Sequence, residues 1–417
     1  MKNINSVKTQ IESLRSLVTQ SLEQIDKQTI QRHRKLETAH VLYCLCLKVC
    51  HHIGYQDALS KMQREGFLND LSYQSINNKI RNGTYDQHFN SLNQQLIQSF
   101  FTPENKDIPR KVAVDGSHIP LPISLKHRGY LRISKDPYTT GLISTIYDLE
   151  NQIPLSYCLN KSLNERDVFY QQFSKIDQPM IFIGDRGYFS RDLILKILRV
   201  HKHFILRLPV KSHWIQQLRD SNKDDIITTL EQFQVRLIHY QIPSRKIQFI
   251  RQEGSPLLKP VPFKKDYYLI TSLVDSIQYP TTQLIQCYHQ RWEIEEYYKT
   301  IKNRLATGTF LSKIEAGILC EITVQQMLSI FNRFFSNLLN HDTHRKLNHT
   351  LLMKRVVDQI LPSILFDKPY KTTTKDIIEC LEILEKYQIP IRNGRSFPRE
   401  QRFHSNKFPT KKIPTDY

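Results

Sequence analysis

The stretch "KVAVDGSHIPL", residues 111 to 121, marks where the chain changes texture from helical to β. Val112, Ala113 and Val114 make an apolar run that meets Asp115-Gly116, and such a run predicts a strand ending at Asp115-Gly116 with a carboxylate at the rim of a sheet. The phrase recurs at "PMIFIGDRGYF", residues 179 to 189, a buried strand ending at Gly184-Asp185 and followed by Arg186-Gly187. Between the two, "GLISTIYDLENQIPLSYCLN" predicts two strands about a turn near Glu150-Asn151, and a helix follows near Glu165 to Ile176. A helix from Ser190 to Val200 and the strand "HFILRLPV" complete a rhythm of early hairpin strands and then strands flanked by helices, which predicts a mixed α/β sheet.

Residues 210 to 280 break that rhythm with the short alternating runs "QVRLIHYQI", "KIQFIRQE" and "DYYLITSLV", read as a β-rich insertion. One helix at about Thr281 to Leu305 comes next and contains "YHQRWEIEEYYKTIK", residues 288 to 302. At about 100° per residue, Tyr288, Arg291, Glu295 and Lys302 fall within one stripe, while Ile294, Ile301 and Leu305 form a separate apolar stripe that can face a core. The polar stripe reads either as a salt-bridged surface, since Arg291 and Glu295 are an i,i+4 pair, or as a chemical face with one carboxylate among cations and a phenol. With two strand-end aspartates, Glu295 completes an all-oxygen set suited to Mg²⁺ or Mn²⁺, the chemistry of two-metal phosphoryl transfer.

Toward the N-terminus the chain is helical, with Ile11, Leu14, Leu17 and Val18 at helical spacing and an apolar helix from Ala39 to Cys50. Residues 55 to 83 read as helix, turn at Gly66, and helix closed by Asn82-Gly83, capped by Asp70 or Ser72. This is either a helix-turn-helix offering Gln74, Asn77, Lys79 and Arg81 to a DNA groove, or an ordinary helical hairpin with a polar outer face. Toward the C-terminus, helices are predicted near Ser312 to Leu339, His349 to Phe366 and Thr374 to Tyr387, followed by a basic tail from Arg392.

Over 417 residues, 59 Lys and Arg face 40 Asp and Glu, a net charge of +19 spread along the chain, which points to a polyanionic partner. No segment approaches the roughly 20 apolar residues of a membrane span, and the best candidate, Val41 to Cys50, is short and carries Lys48. Seven cysteines without a C-x-x-C pair argue against a disulfide framework, and Cys44, Cys46 and Cys50 sit among leucines and valine as core residues rather than zinc ligands. The reading is a cytoplasmic protein.

These residues resemble the DDE transposases of bacterial insertion sequences, specifically the insertion-sequence-4 branch, whose signature Y-x2-R-x3-E-x6-K is matched by Tyr288, Arg291, Glu295 and Lys302. The "VAVDGS" and "GDRGYF" contexts and the β-rich stretch before the glutamate agree, and the resemblance spans about Val112 to Leu305. It implies a ribonuclease-H-like core in which Asp115, Asp185 and Glu295 hold two Mg²⁺ ions, with Mn²⁺ as a substitute. It further implies a nucleoid-associated homodimer that pairs double-stranded transposon ends, excises them through a DNA hairpin, and joins them to a target. Tyr288, Arg291, Lys302 and Lys299 would hold phosphates, and Arg186 stands next to the second aspartate as either a DNA contact or a structural ion pair. Relatives carry a base-stacking Trp 21 residues before the motif tyrosine, where this chain has Tyr267. A metal-dependent nuclease without strand transfer, or an inactive DNA-binding derivative, are the alternative functions.

The domain reading that follows is 1–105 helical and DNA-binding, 106–209 the first part of the core, and 210–280 the insertion. It continues with 281–310 as the core helix, 311–390 as a helical C-terminal region, and 391–417 as the tail.

Overall fold

The computed structural model describes residues 3–29, 36–68, 72–102, 108–133, 136–251, 258–305, 308–340, 345–366 and 374–390. The basic tail and Asp70 therefore lie outside the described residues. The chain forms two compact units, one over Asn93–Ile301 and one that joins the chain up to Leu92 with the chain from Lys302 onward.

The unit over Asn93–Ile301 is built on an eight-stranded mixed sheet. Its strands are β1 (Arg110–Leu121), β2 (Thr139–Asp148), β3 (Ile153–Asn160), β4 (Met180–Gly184), β5 (His203–Arg207), β6 (Asp225–Leu230), β7 (Phe233–Arg251) and β8 (Leu258–Thr271). Their order is β3-β2-β1-β4-β5-β8-β7-β6. The first three strands are antiparallel, while β1, β4 and β5 run parallel to one another, the ribonuclease-H-like arrangement.

One sequence expectation changes here. The strand expected to end at Asp115-Gly116 runs on to Leu121, because β2 supplies ladder partners as far as Leu121↔Thr139. The stretch read as an insertion continues the sheet: β8 pairs antiparallel with β5 through Ile205↔Thr271, and β7 and β6 follow. The short run "QVRLIHYQI" and the part of "KIQFIRQE" up to Arg251 belong to the single strand β7, which is irregular between Pro243 and Ile247.

The core of this unit is apolar and aromatic. Phe182 of β4 stacks on Phe169 with ring centroids 4.3 Å apart, and Tyr188 meets both rings edge-on. Burying each phenyl ring contributes about 2–3 kcal/mol. Phe169 comes from the helix Glu165–Phe173, which packs on β1 and β2, and the helix Arg191–Arg199 packs on β5.

The second unit is all helical apart from the two-residue pairing of Arg345–Lys346 with Ile389–Pro390. In chain order the helices of the two units are α1 (Ile4–Thr29), α2 (Thr38–His51), α3 (Tyr55–Arg64), α4 (Tyr73–Asn82), α5 (Tyr85–Phe101), α6 (Glu165–Phe173), α7 (Arg191–Arg199) and α8 (His213–Asp220). They continue with α9 (Thr281–Gln290), α10 (Trp292–Arg304), α11 (Glu315–Leu338), α12 (His349–Arg355), α13 (Leu361–Leu365) and α14 (Thr374–Lys386). The N-terminal helices, read as a separate domain, pack with the C-terminal ones: α2 is buried nearly all round, so α1 and α3 cannot cover it alone, and α11, α13 and the helical segment Val356–Ile360 also pack on it. Inside this unit Lys48 is fully buried, bonded to Glu321 and, at 2.8 Å, to the Ser312 hydroxyl. Cys44, Cys46 and Cys50 are buried, and burial pushes their thiols up, which keeps them protonated. No described helix is long and apolar enough to cross a membrane.

Candidate active site

β1 and β4 place the first two carboxylates side by side. Their parallel register ends at Ala113↔Ile183, and two residues further along each chain, on the same face by strand periodicity, stand Asp115 and Asp185. Beyond that point β1 stays with β2 while the chain after β4 turns into a short 3₁₀ segment, Arg186–Tyr188, so a crevice opens between them. Asp185 starts that turn by accepting the Gly187 N–H at 2.8 Å, and Asp115 accepts the Gly116 N–H at 3.0 Å.

The third carboxylate arrives on α10. The expected single helix over Thr281 to Leu305 is two helices, α9 and α10, separated at Arg291. There the Arg291 N–H bonds the Tyr288 carbonyl and the Ile294 N–H bonds the Arg291 carbonyl, both at 3.2 Å, so i→i−3 bonds tighten the turn locally. The Arg291 guanidinium then lies on Glu295 at 2.8 Å. One turn past Glu295, the Tyr298 hydroxyl reaches the Asp115 carbonyl at 2.9 Å, the Ile143 carbonyl at 3.2 Å and the Thr145 hydroxyl at 2.8 Å, fastening α10 to the strand that carries the first aspartate.

A fourth carboxylate, which the sequence reading left as the start of a helix, stands in the same place. A Cβ at Gly116 would fall 2.7 Å from Cγ and Cδ of Glu165 and 2.9 Å from its Oε1, so the carboxylate end of Glu165 lies against the backbone next to Asp115. The buried Tyr188 hydroxyl lies beside Glu165, too loosely for a regular hydrogen bond. Burial, and then the charge of Glu165, push Asp115 up to about 7; Asp185 adds to this, and the Gly116 N–H and Arg291 oppose it. Glu165 is itself raised by burial and by Asp185, against His118 and Tyr188. Burial pulls the Arg291 guanidinium down, but its bond to Glu295 and the charges around it leave it raised.

The donor set of oxygen-only carboxylates, in which burial and the charge of Glu165 hold Asp115 above the usual carboxylate range, fits a hard divalent cation. Among the described residues no three of His, Cys, Asp or Glu converge closely enough to hold a metal ion as they stand, and Glu295 is engaged by Arg291 instead.

The other candidate contacts are dispersed. Tyr288 is buried rather than presented to solvent, while Lys299 and Arg186 are exposed, and Lys299 is bonded to Glu296 and lies 5.0 Å above the Trp292 ring. Trp292 is 53% exposed, whereas Trp214 is buried. Tyr267 does not present a bare ring: Tyr240 stacks on it at 5.3 Å and the Arg207 guanidinium sits 4.3 Å from its centroid. Lys302 is exposed in the last turns of α10. In the all-helical unit α3 is followed by α4, an order that the groove-binding reading and the hairpin reading share, with Gly66 in the left-handed region at φ 76°. Ile76 and Ile80 are buried, Gln74 and Arg81 are exposed, Asn77 is half-buried, and the Lys79 ammonium is bonded to the Leu36 carbonyl.

A family model described as a transposase DDE domain matches residues 107–331. No curated protein matches the chain. Among solved structures, a piggyBac transposase synaptic complex with hairpin DNA is similar at 11% identity and a TM-score of 0.44, over 92% of this chain and 84% of that one.

Proposed function

The chain belongs to the transposase DDE domain family, and from that membership we propose that it is a metal-dependent DNA transposase of the insertion-sequence-4 branch. In this reading it binds the terminal inverted repeats of its element as a homodimer on double-stranded DNA, excises the element through a hairpin, and joins the ends to a target. The observation that carries the reading is the nearness of Asp115, Asp185 and α10: Asp115 within β1, Asp185 just past the end of the neighbouring β4, and a helix fastened by Tyr298 to the backbone of the first, one turn from Glu295.

Asp115, Asp185 and Glu295 would hold Mg²⁺, or Mn²⁺ in its place. Such ions activate a water or 3′-hydroxyl and offset charge on the leaving oxygen. Tyr298 sets the depth of α10 against β1, and Arg291 holds Glu295 at 2.8 Å. The Arg291 guanidinium fork suits phosphate as well as a carboxylate, so Arg291 would serve both as the partner of Glu295 and as a contact to the DNA backbone. Lys299, Lys302 and Arg186 supply further exposed cationic groups for the backbone. In the same reading Gln74, Asn77 and Arg81 of the α3–α4 pair face the repeat sequence, with Lys79 committed to Leu36.

The products decide between strand transfer and simple hydrolysis. Incubation with Mg²⁺ and a linear fragment carrying the DNA that flanks the coding sequence should yield hairpinned element ends and joined products on denaturing gels. Cuts that stop at open ends and never join would make the protein a nuclease, and binding without cuts a DNA-binding derivative.

A further inference from the structure

Glu165 is an acidic group that the three-carboxylate account does not use, placed where an acidic group is costly. It stands at the first position of α6, and the close packing of its Cγ and Cδ on Gly116 is possible only because that residue lacks a Cβ. Tyr188, 1% exposed and without a hydrogen-bond partner of good geometry, points its hydroxyl at the same point, where its charged neighbours are Glu165, Asp115 and Asp185. Arg291, which opposes the raising of Asp115, is bonded to Glu295, and the group that lowers Glu165 most is the exposed His118.

A chain that stabilised only its metal-free fold would replace Glu165 with a neutral side chain, since like charges at short range destabilise one another. We propose that Glu165 is a fourth carboxylate of the ion site, seated against Gly116 and beside the Tyr188 hydroxyl so that its charge faces the cation shared by Asp115 and Asp185. The proposal rests on the transposase reading, because it takes the cation from there. It adds a ligand group from α6, an element that the motif residues do not mark.

The geometry gives the assignment an unusual signature. Removing the Glu165 charge relieves repulsion in the metal-free protein and weakens its hold on a cation, so thermal stability and ion affinity move in opposite directions. A residue with a merely structural role would lower stability and leave affinity alone.

The test measures Mn²⁺ binding to the full chain by calorimetry, with thermal melting in EDTA alongside, for the wild type, Glu165→Gln, Gly116→Ala, the double variant and Asp185→Asn as control. Glu165→Gln should bind Mn²⁺ on the order of 10–100-fold more weakly while melting no lower than the wild type in EDTA. Gly116→Ala, which displaces the Glu165 side chain without removing it, should weaken Mn²⁺ binding in the same direction, and the double variant should be no weaker than the worse single one. If Glu165→Gln fails to fold, Gly116→Ala decides alone. Unchanged Mn²⁺ affinity in the folded variants, with Asp185→Asn impaired, overturns the role of Glu165 and leaves the transposase reading standing. A wild type that binds no Mn²⁺ overturns both.

Discussion

Substituting Tyr298 by Phe removes one oxygen and keeps the ring, so it isolates what that oxygen does. The hydroxyl is within hydrogen-bond distance of the Asp115 carbonyl at 2.9 Å, the Ile143 carbonyl at 3.2 Å and the Thr145 hydroxyl at 2.8 Å, and the side chain is buried. Each such bond is worth about 1 kcal/mol net, and a buried partner left unsatisfied costs about 1–3 kcal/mol. The Phe variant leaves the Thr145 hydroxyl and one carbonyl lone pair without it, so a loss of about 2–3 kcal/mol is expected, or a fall in melting temperature of roughly 4–12 °C for a unit of this size. The larger effect should be on chemistry. Glu295 is one turn away on the same helix, and a displacement near 1 Å at a reacting group can cost about 100-fold in rate. The assay is single-turnover cleavage of a pre-assembled protein–end complex, started by Mg²⁺ at a temperature where melting curves show the variant fully folded. A rate within twofold of the wild type would refute the idea that Tyr298 sets the position of the third carboxylate, even if the melting temperature drops.

Other consequences follow from the same geometry. Asp115 is raised to about 7 in the folded protein, against about 3.9 in an unfolded chain. The folded state therefore holds the extra proton between those values, and stability from this group falls as pH rises through about 4 to 7 and is level above that. Melting curves in EDTA should show this loss in the wild type relative to Asp115→Asn, and parallel curves would count against the buried, crowded aspartate. Arg291→Ala should weaken end-complex formation and reduce the slope of log affinity against log salt by about one, and a gel-shift salt series with an unchanged slope removes it from the phosphate contacts. In the helical unit, Glu321→Gln leaves the buried Lys48 ammonium without its counter-charge and should cost about 3–5 kcal/mol in urea denaturation. The pair Lys48→Met with Glu321→Leu should recover most of that, and a mild Glu321→Gln would mean that Ser312 alone satisfies the ammonium.

The parts of the fold that announce themselves in the sequence are those whose local pattern and tertiary role coincide. Val112 to Val114 and Met180 to Ile183 are apolar on both faces because β1 and β4 lie inside the sheet, and their runs read as strands. The end of β1 was not legible, because Asp115-Gly116 looks like a turn: the glycine is there to admit Glu165, and pairing with β2 carries the strand onward. The attachment of β8 to β5 is a contact between distant segments, on which local alternation is silent. The break at Arg291 leaves no mark either, since no Pro or Gly produces it. Glu165 reads as an ordinary acidic residue in the first turn of a helix, and Tyr298 as one more aromatic on a helix face. Both acquire meaning only from what the fold sets opposite them, which here is the first aspartate in each case.

The most direct test of the central claim is cleavage of the element's own ends in Mg²⁺ and in EDTA by the wild type and by Asp115→Asn, Asp185→Asn and Glu295→Gln, with end binding measured on the same preparations. The account predicts metal-dependent cuts at the repeat boundaries in the wild type, none in any of the three variants, and end binding retained throughout. Cutting that persists when any one of these carboxylates is made an amide, or proceeds undiminished in EDTA, would contradict it.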